Sequence, residues 1–372
     1  MPRTRTLLIA GGAALLARRG LRRRIARSPL WPMPALDKPI SGQGERRSGR
    51  ADVGLRLVVA ERTEPAQGVV QLRLAAEDGR ELPAWEPGAH VDLELPSGAV
   101  RQYSLCGDPA DRGAYTLATR LIPEEEGGRG GSREVHGELH EGTGVTVRGP
   151  RNRFPRADAA GYLFLAGGIG ITPILPMVYA AEAAGLPWRV VYGGRTRAAM
   201  PFAGELEKLA VASRDGRVTL VPQDEEGHPD LAAALAQAPQ GAAVHCCGPA
   251  PLMDAVTALC EEPGRRPAGG LHLERFTAAP AATGENHPFE VELRRTGRTL
   301  TVPADRTALE TIRAEYPNTP YSCTQGFCGT CRTRVLEGDP DHRDALLTDT
   351  ERAESMLICV SRCRGKRVVL DM

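Results

Sequence analysis

Cys323-Thr-Gln-Gly-Phe-Cys328-Gly-Thr-Cys331 gathers three thiols in one loop, and Cys359 follows after 27 intervening residues. C-x4-C-x2-C with a distant fourth cysteine is the ligand spacing of a plant-type two-iron, two-sulfide cluster. Four thiolates must close round a small inorganic core. Gly326 and Gly329 let the backbone curl so that its N–H groups can face the sulfurs. A structural zinc site would instead draw two close cysteine pairs from separate knuckles. Cys363 is a rival fourth ligand, but Cys359 ends the apolar stretch Met356-Leu357-Ile358 and gives the expected long gap. A one-electron carrier neither accepts hydride nor binds an organic substrate, so the remainder of the chain has to feed it.

Three further motifs point to that supply. Arg101-Gln102-Tyr103-Ser104-Leu105 offers a guanidinium able to grip a phosphate in bidentate fashion and a tyrosine able to pack on a flavin ring. Gly130-Gly131-Ser132 opens a helix, which presents backbone N–H groups and a hydroxyl to an anion. Gly167-Gly168-Ile169-Gly170-Ile171-Thr172-Pro173 lies between a strand pattern and a helix pattern, the setting for a dinucleotide pyrophosphate. Cys247-Gly248-Pro249 repeats such a turn at a later strand end, where ligands bind in open α/β sheets.

The elements that would carry these motifs fall into three blocks. Residues 55–59, 69–74, 90–95, 100–105, 115–121 and 145–148 read as short strands, with one helix near 132–140, which suggests a closed antiparallel barrel. Between 161 and 276 strands at 162–166, 189–192, 218–221, 244–247 and 271–274 alternate with helical patterns, as in a doubly wound parallel sheet. After an Ala/Pro/Thr/Gly-rich linker, Phe289, Val291 and Leu293 alternate as a strand, and Thr307-Ala-Leu-Glu310 spells a capping box. The domains are placed at 51–157, 158–276 and 288–372, with the linker at 277–287 and a basic extension at 1–50. No internal repeat is found.

The chain has 372 residues and a formal net charge of +1. Residues 1–50 hold 12 Lys/Arg against Asp37 and Glu45, while the other 322 carry 35 basic and 44 acidic residues. A mildly acidic body argues against a nucleic-acid partner. Nine cysteines, an odd number, suit a reducing compartment better than a disulfide framework. The apolar run at 7–17 has 11 residues, too short for a bilayer core of ~30 Å. Arg18, Arg19 and Arg22 to Arg24 follow where a signal peptide would want a cleavage site. Three readings of residues 1–30 stay open: weak contact with an anionic membrane surface, a disordered or loosely docked extension, or an upstream start codon. The expected location is cytoplasmic, at most peripheral to the inner face of the membrane. His90, His136, His140 and His342 show no ligand spacing and are read as surface residues, whereas Cys246 and Cys260 are read as core.

Taken in order, these motifs resemble the phthalate dioxygenase reductase and vanillate O-demethylase reductase family, within the ferredoxin–NADP reductase superfamily. The resemblance runs from about Leu55 to Met372 and also includes Gly149-Pro-Arg-Asn152-Arg-Phe154 and Glu274-Arg-Phe276. It implies a six-stranded antiparallel flavin-binding barrel, a doubly wound parallel nucleotide-binding domain and a β-grasp ferredoxin domain. Arg101, Tyr103, Ser104, Gly131 and Ser132 would hold FMN rather than FAD, with Thr119 beside the ring. Gly168, Gly170, Thr172 and Cys247 would position NADH in preference to NADPH, with Phe276 covering the flavin. Arg195 and Arg197, after a strand end, are the residues that a 2′-phosphate could meet. Cys323, Cys328, Cys331 and Cys359 would bind the cluster. The implied activity is that of a reductase serving a terminal oxygenase, Rieske-type before haem-thiolate. A stand-alone ferric or quinone reductase and a redox sensor are the alternatives.

Overall fold

The computed structural model describes residues 54–372 except 127, 129, 277–284 and 345, and omits the side chain of residue 125. The readings of the N-terminal extension and of most of the 277–287 linker lie outside the described residues. Among the described residues no helix is long and apolar enough to cross a membrane.

Strands β1 (Leu55–Ala66), β2 (Val69–Ala75), β3 (Ala89–Glu94), β4 (Val100–Ser104), β5 (Ala114–Arg120) and β6 (Gly144–Asn152) form one antiparallel sheet in the order β4-β3-β6-β1-β2-β5. A bridge between Leu105 and Leu117 joins the two ends and closes the barrel. The alternation that suggested strands explains the closure. Leu57, Leu72, Leu74, Val91, Leu93, Leu117 and Val147 point inward and share one core. Helix α1 (Gly131–Glu138) comes between β5 and β6.

Strands β7 (Gly161–Gly167), β8 (Trp188–Gly194), β9 (Arg217–Pro222), β10 (Ala242–Cys247) and β11 (Leu271–Glu274) make a parallel sheet in the order β11-β10-β7-β8-β9. Helices α2 (Ile171–Ala183), α3 (Ala203–Ala212), α4 (Leu231–Ala236) and α5 (Ala250–Glu261) connect them. Both faces are buried. Phe164, Val190 and Tyr192 pack in one core, while Leu163, Leu165, Val191 and Val244 pack in the other. Strand order reverses between β7 and β10, and in such sheets ligands bind at that switch point, outside the carboxyl ends of the strands.

The last block holds β12 (Phe289–Leu293), β13 (Arg298–Val302), α6 (Ala308–Glu315), β14 (Arg332–Glu337), β15 (Pro340–Asp341), β16 (Ser355–Leu357), β17 (Arg362–Cys363) and β18 (Arg367–Leu370). Its main sheet runs β13-β12-β18-β14-β16, with β12 and β18 parallel, and Leu309 and Ile312 of α6 pack into its core in a β-grasp arrangement. The capping box is formed: Thr307 Oγ1 accepts from Glu310 N at 3.1 Å, and Glu310 Oε2 accepts from Thr307 N at 2.8 Å.

Candidate functional site

At the mouth of the barrel, Arg101 lies against the start of α1. A Cβ on Gly131 would stand 2.7 Å from Arg101 Nε, so glycine here lets the arginine lie against the helix start without shifting. The guanidinium and the positive end of a helix therefore share one place, a match for a phosphate. Tyr103, next but one along β4, is hydrogen-bonded to Thr119 of β5, and burial raises its hydroxyl pKa. Thr119 is itself buried, and its carbonyl accepts from His136 Nε2 at 3.0 Å. The Ser132 hydroxyl accepts from Ile122 N at 3.0 Å, which secures the loop leading to α1.

Glu274 was missed as a functional residue by the sequence reading, though its motif was noted. Ser104 Oγ donates to Glu274 Oε2 at 3.5 Å, so barrel and parallel sheet touch through this pair. Glu274 is in register with Cys247 on the adjoining strand. Desolvation pushes the Glu274 carboxyl up to about 8, with Ser104 opposing the shift. Burial raises the Cys247 thiol well above its ordinary value, and the neighbouring Glu274 adds to this. Phe276, two residues on, is half-buried beside the core that contains Cys247.

The glycine loop packs on the Cys247-Gly248-Pro249 turn. A Cβ on Gly170 would fall 2.3 Å from Cys247 O, so that glycine serves contact between the two turns. Gly168 differs: its φ is +54° and nothing lies within 4 Å of its missing Cβ, leaving the backbone open to a ligand. Tyr192 OH donates to Gly168 O at 3.1 Å. Thr172 Oγ1 donates to Ile169 O at 3.0 Å, so its hydroxyl holds the turn that precedes α2. Arg195 pairs with Glu126 at 2.8 Å and Arg197 with Glu207 at 2.6 Å.

Cys323, Cys328, Cys331 and Cys359 are each no more than 5% exposed. Cys323 contacts Cys328, and Cys359 contacts both Cys323 and Cys331. Backbone donors face the sulfurs: Gln325 N lies 3.3 Å from Cys323 Sγ and Cys323 N 3.5 Å from Cys328 Sγ. Among the described residues no three His, Cys, Asp or Glu side chains are arranged to hold a single metal ion. The donor set itself, four adjacent buried thiols with amides aimed at sulfur, suits an iron–sulfur cluster. Cys363 stands apart, with its thiol donating to Arg367 O at 3.3 Å.

The histidines need correction. His140 is exposed and His136 is half-buried, but His90 is only 2% exposed. Its pKa falls to about 3 through burial and the nearby Arg151 and Arg153. His342 is half-buried, 3.6 Å from Asp344. The reason is visible in β3: its polar face, with His90 and Asp92, is covered by other parts of the chain. Arg151 forms an ion pair with Asp92, and Arg153 reaches Glu351 beyond the cluster loop at 3.9 Å. A cleft on this face is lined by His90, Gln102, Glu274, Arg153, Phe327 and Cys328, among others. Cys246 and Cys260 are core residues, as expected.

Barrel, parallel sheet and cysteine loop thus meet at one cleft, the arrangement expected of an electron-transfer oxidoreductase. Residues 291–364 match the family described as 2Fe-2S iron-sulfur cluster binding domain. The chain is 43% identical over 308 residues to phenoxybenzoate dioxygenase subunit beta of Ectopseudomonas oleovorans, covering 81% of this chain and 91% of that one. It is similar to the solved structure of phthalate dioxygenase reductase at 35% identity and a TM-score of 0.64, over 86% of this chain and 98% of the other. An intact type IV self-sufficient cytochrome P450 monooxygenase is also similar, at 35% identity and a TM-score of 0.76, but this chain spans only 45% of it. The chain belongs to the phthalate dioxygenase reductase and vanillate O-demethylase reductase family. It is an oxidoreductase, a reductase component with a flavin- and nicotinamide-nucleotide-binding part and a 2Fe-2S ferredoxin domain.

Proposed function

We propose that the chain oxidises NADH with FMN held in the barrel and sends electrons through a Cys323, Cys328, Cys331 and Cys359 cluster to a separate Rieske-type oxygenase. The carrying observation is the cleft shared by Glu274, Gln102 and Cys328, which puts the edge of the nucleotide crevice beside a candidate cluster ligand. Flavin, when bound, supplies the conversion between the paired electrons of nicotinamide and the single electrons of a two-iron cluster. The protein needs no general base for this; its residues position and shield.

Arg101 and the first turn of α1 would fix the flavin phosphate. Tyr103 and Thr119 would flank the ring. The open backbone at Gly168 would receive the dinucleotide pyrophosphate, and Cys247 and Phe276 would bound the nicotinamide. NADH is preferred over NADPH because Arg195 and Arg197 each already face a carboxylate. The turn after β9 is acidic as well, with Asp224, Glu225 and Glu226. FMN is preferred on domain order, the cluster domain following the nucleotide domain. The domain limits 51–157, 158–276 and 288–372 belong to the same reading. A haem-thiolate partner is the second reading, favoured by the similarity to the P450 chain.

Extraction of the purified protein is expected to give one FMN, two irons and two acid-labile sulfides per chain. FAD in the extract would refute the flavin assignment, and zinc in place of iron would refute the electron path. Co-purification with either type of oxygenase decides the partner. Glu274 provides a separate test through pH. Below about pH 8 it is protonated and neutral; above, a carboxylate stands beside the crevice. Negative charge there opposes acceptance of hydride, so NADH–ferricyanide turnover should fall roughly tenfold on the alkaline side, ~1.4 kcal/mol of barrier. Glu274→Gln should flatten that limb. An unchanged profile in the variant would remove Glu274 from the site.

A further inference from the structure

His90 occupies an unusual place for an imidazole. It is buried on the outer face of β3, and neither Nδ1 nor Nε2 has a hydrogen-bond partner among the described residues. Gln102 Nε2, on the neighbouring strand and the same cleft, is likewise unpartnered. Buried polar groups in native proteins are nearly always satisfied, so an imidazole and an amide facing one cleft call for a partner. The β3–β6 register shifts between His90 and Asp92, and such irregularities re-aim side chains beside functional sites. Two residues further along on the same face, Asp92 is ion-paired with Arg151.

Across that cleft stand Phe327 and Cys328 of the cysteine loop. A neutral imidazole offers one N–H donor, Gln102 offers an amide, and Arg153 and Arg275 line the same space. Apart from Glu274, each polar side chain that lines the cleft with Cys328 can carry an N–H donor. Donors suit a cluster whose four thiolates and two sulfides outweigh two ferric ions, and they favour the form with one electron more. Hydrogen bonds to the sulfurs are among the terms that set the potential of such clusters.

We propose that His90, with Gln102, donates directly or through water to the Cys328 sulfur and raises the reduction potential of the cluster, thereby easing electron entry from the flavin side. This deepens the proposed function and rests on it. His90 is a positioning and potential-setting residue here, not one that touches the nicotinamide.

The test uses the full chain with its flavin and cluster, as wild type, His90→Leu and His90→Gln. Midpoint potentials of cluster and flavin are measured by anaerobic titration followed by electron paramagnetic resonance and visible spectra. Rapid mixing with NADH gives the rate of cluster reduction. His90→Leu is expected to shift the flavin–cluster electron distribution about tenfold toward the flavin, ~59 mV for a one-electron couple. Cluster reduction should slow with it, and His90→Gln, which keeps a donor, should recover most of both. A His90→Leu cluster potential equal to wild type would overturn the proposal. So would a shift confined to the flavin, or a His90→Gln protein as impaired as the leucine variant. A wild-type protein that assembles no cluster would instead sink the proposed function.

Discussion

Replacing Cys359 by serine is expected to leave a folded chain that no longer assembles its two-iron cluster, whereas Cys363→Ser keeps it. Spacing favours Cys359, but both cysteines are buried, so exposure does not separate them. Their contacts do. Cys359 meets Cys323 and Cys331, while the Cys363 thiol donates to the backbone of Arg367 in the ferredoxin core. Loss of the Cys359 sulfur opens the cage, and a serine hydroxyl is a harder, less readily ionised donor than a thiolate. NADH-dependent cytochrome c reduction should fall on the order of a hundredfold, ~2.7 kcal/mol in barrier terms. Ferricyanide reduction, which the flavin part can support alone, should be retained. Visible absorption and the paramagnetic signal of the reduced protein are the direct readouts. A normal signal in Cys359→Ser together with a lost one in Cys363→Ser would reverse the ligand assignment.

The architecture was legible because each block obeys one local rule. Period-two alternation marked β3 as residues 90–95, and the strand spans Ala89–Glu94. Strand–helix alternation gave the parallel sheet, and Thr307 with Glu310 gave the start of α6. Cysteine spacing picked out four thiols that the fold brings together. What escaped was whatever depends on one block covering another. His90 read as a surface residue because nothing local announces the distant residues, Glu274, Phe327 and Cys328 among them, that share its cleft. Glu274 was hidden for a similar reason: its partner, Ser104, is 170 residues away on the barrel. The glycine loop was legible as a motif but not in its division of labour. Gly170 makes room for the protein's own Cys247 carbonyl, and Gly168 alone leaves its flank open. A motif scan sees identical residues where the packing assigns them different work.

Arg101→Ala should release flavin while leaving the cluster in place. The guanidinium rests on the first turn of α1, close enough that a methyl group on Gly131 would strike it. Removing it takes away a fixed cation at the spot where helix N–H groups also converge. Charge-assisted contacts to phosphate are among the stronger hydrogen bonds, ~1.5–3 kcal/mol each. A bidentate grip lost from a partly buried site should therefore weaken flavin binding roughly a hundredfold. Gel filtration should then yield protein with substoichiometric flavin and an unchanged two-iron signal, and added flavin should restore turnover with a raised half-saturation concentration. Gly131→Ala makes an independent route to the same phenotype, since it leaves the charge but displaces it. If Arg101→Ala keeps stoichiometric flavin, the phosphate lies elsewhere. If Gly131→Ala alone loses it, the helix terminus holds the anion and the arginine merely packs beside it.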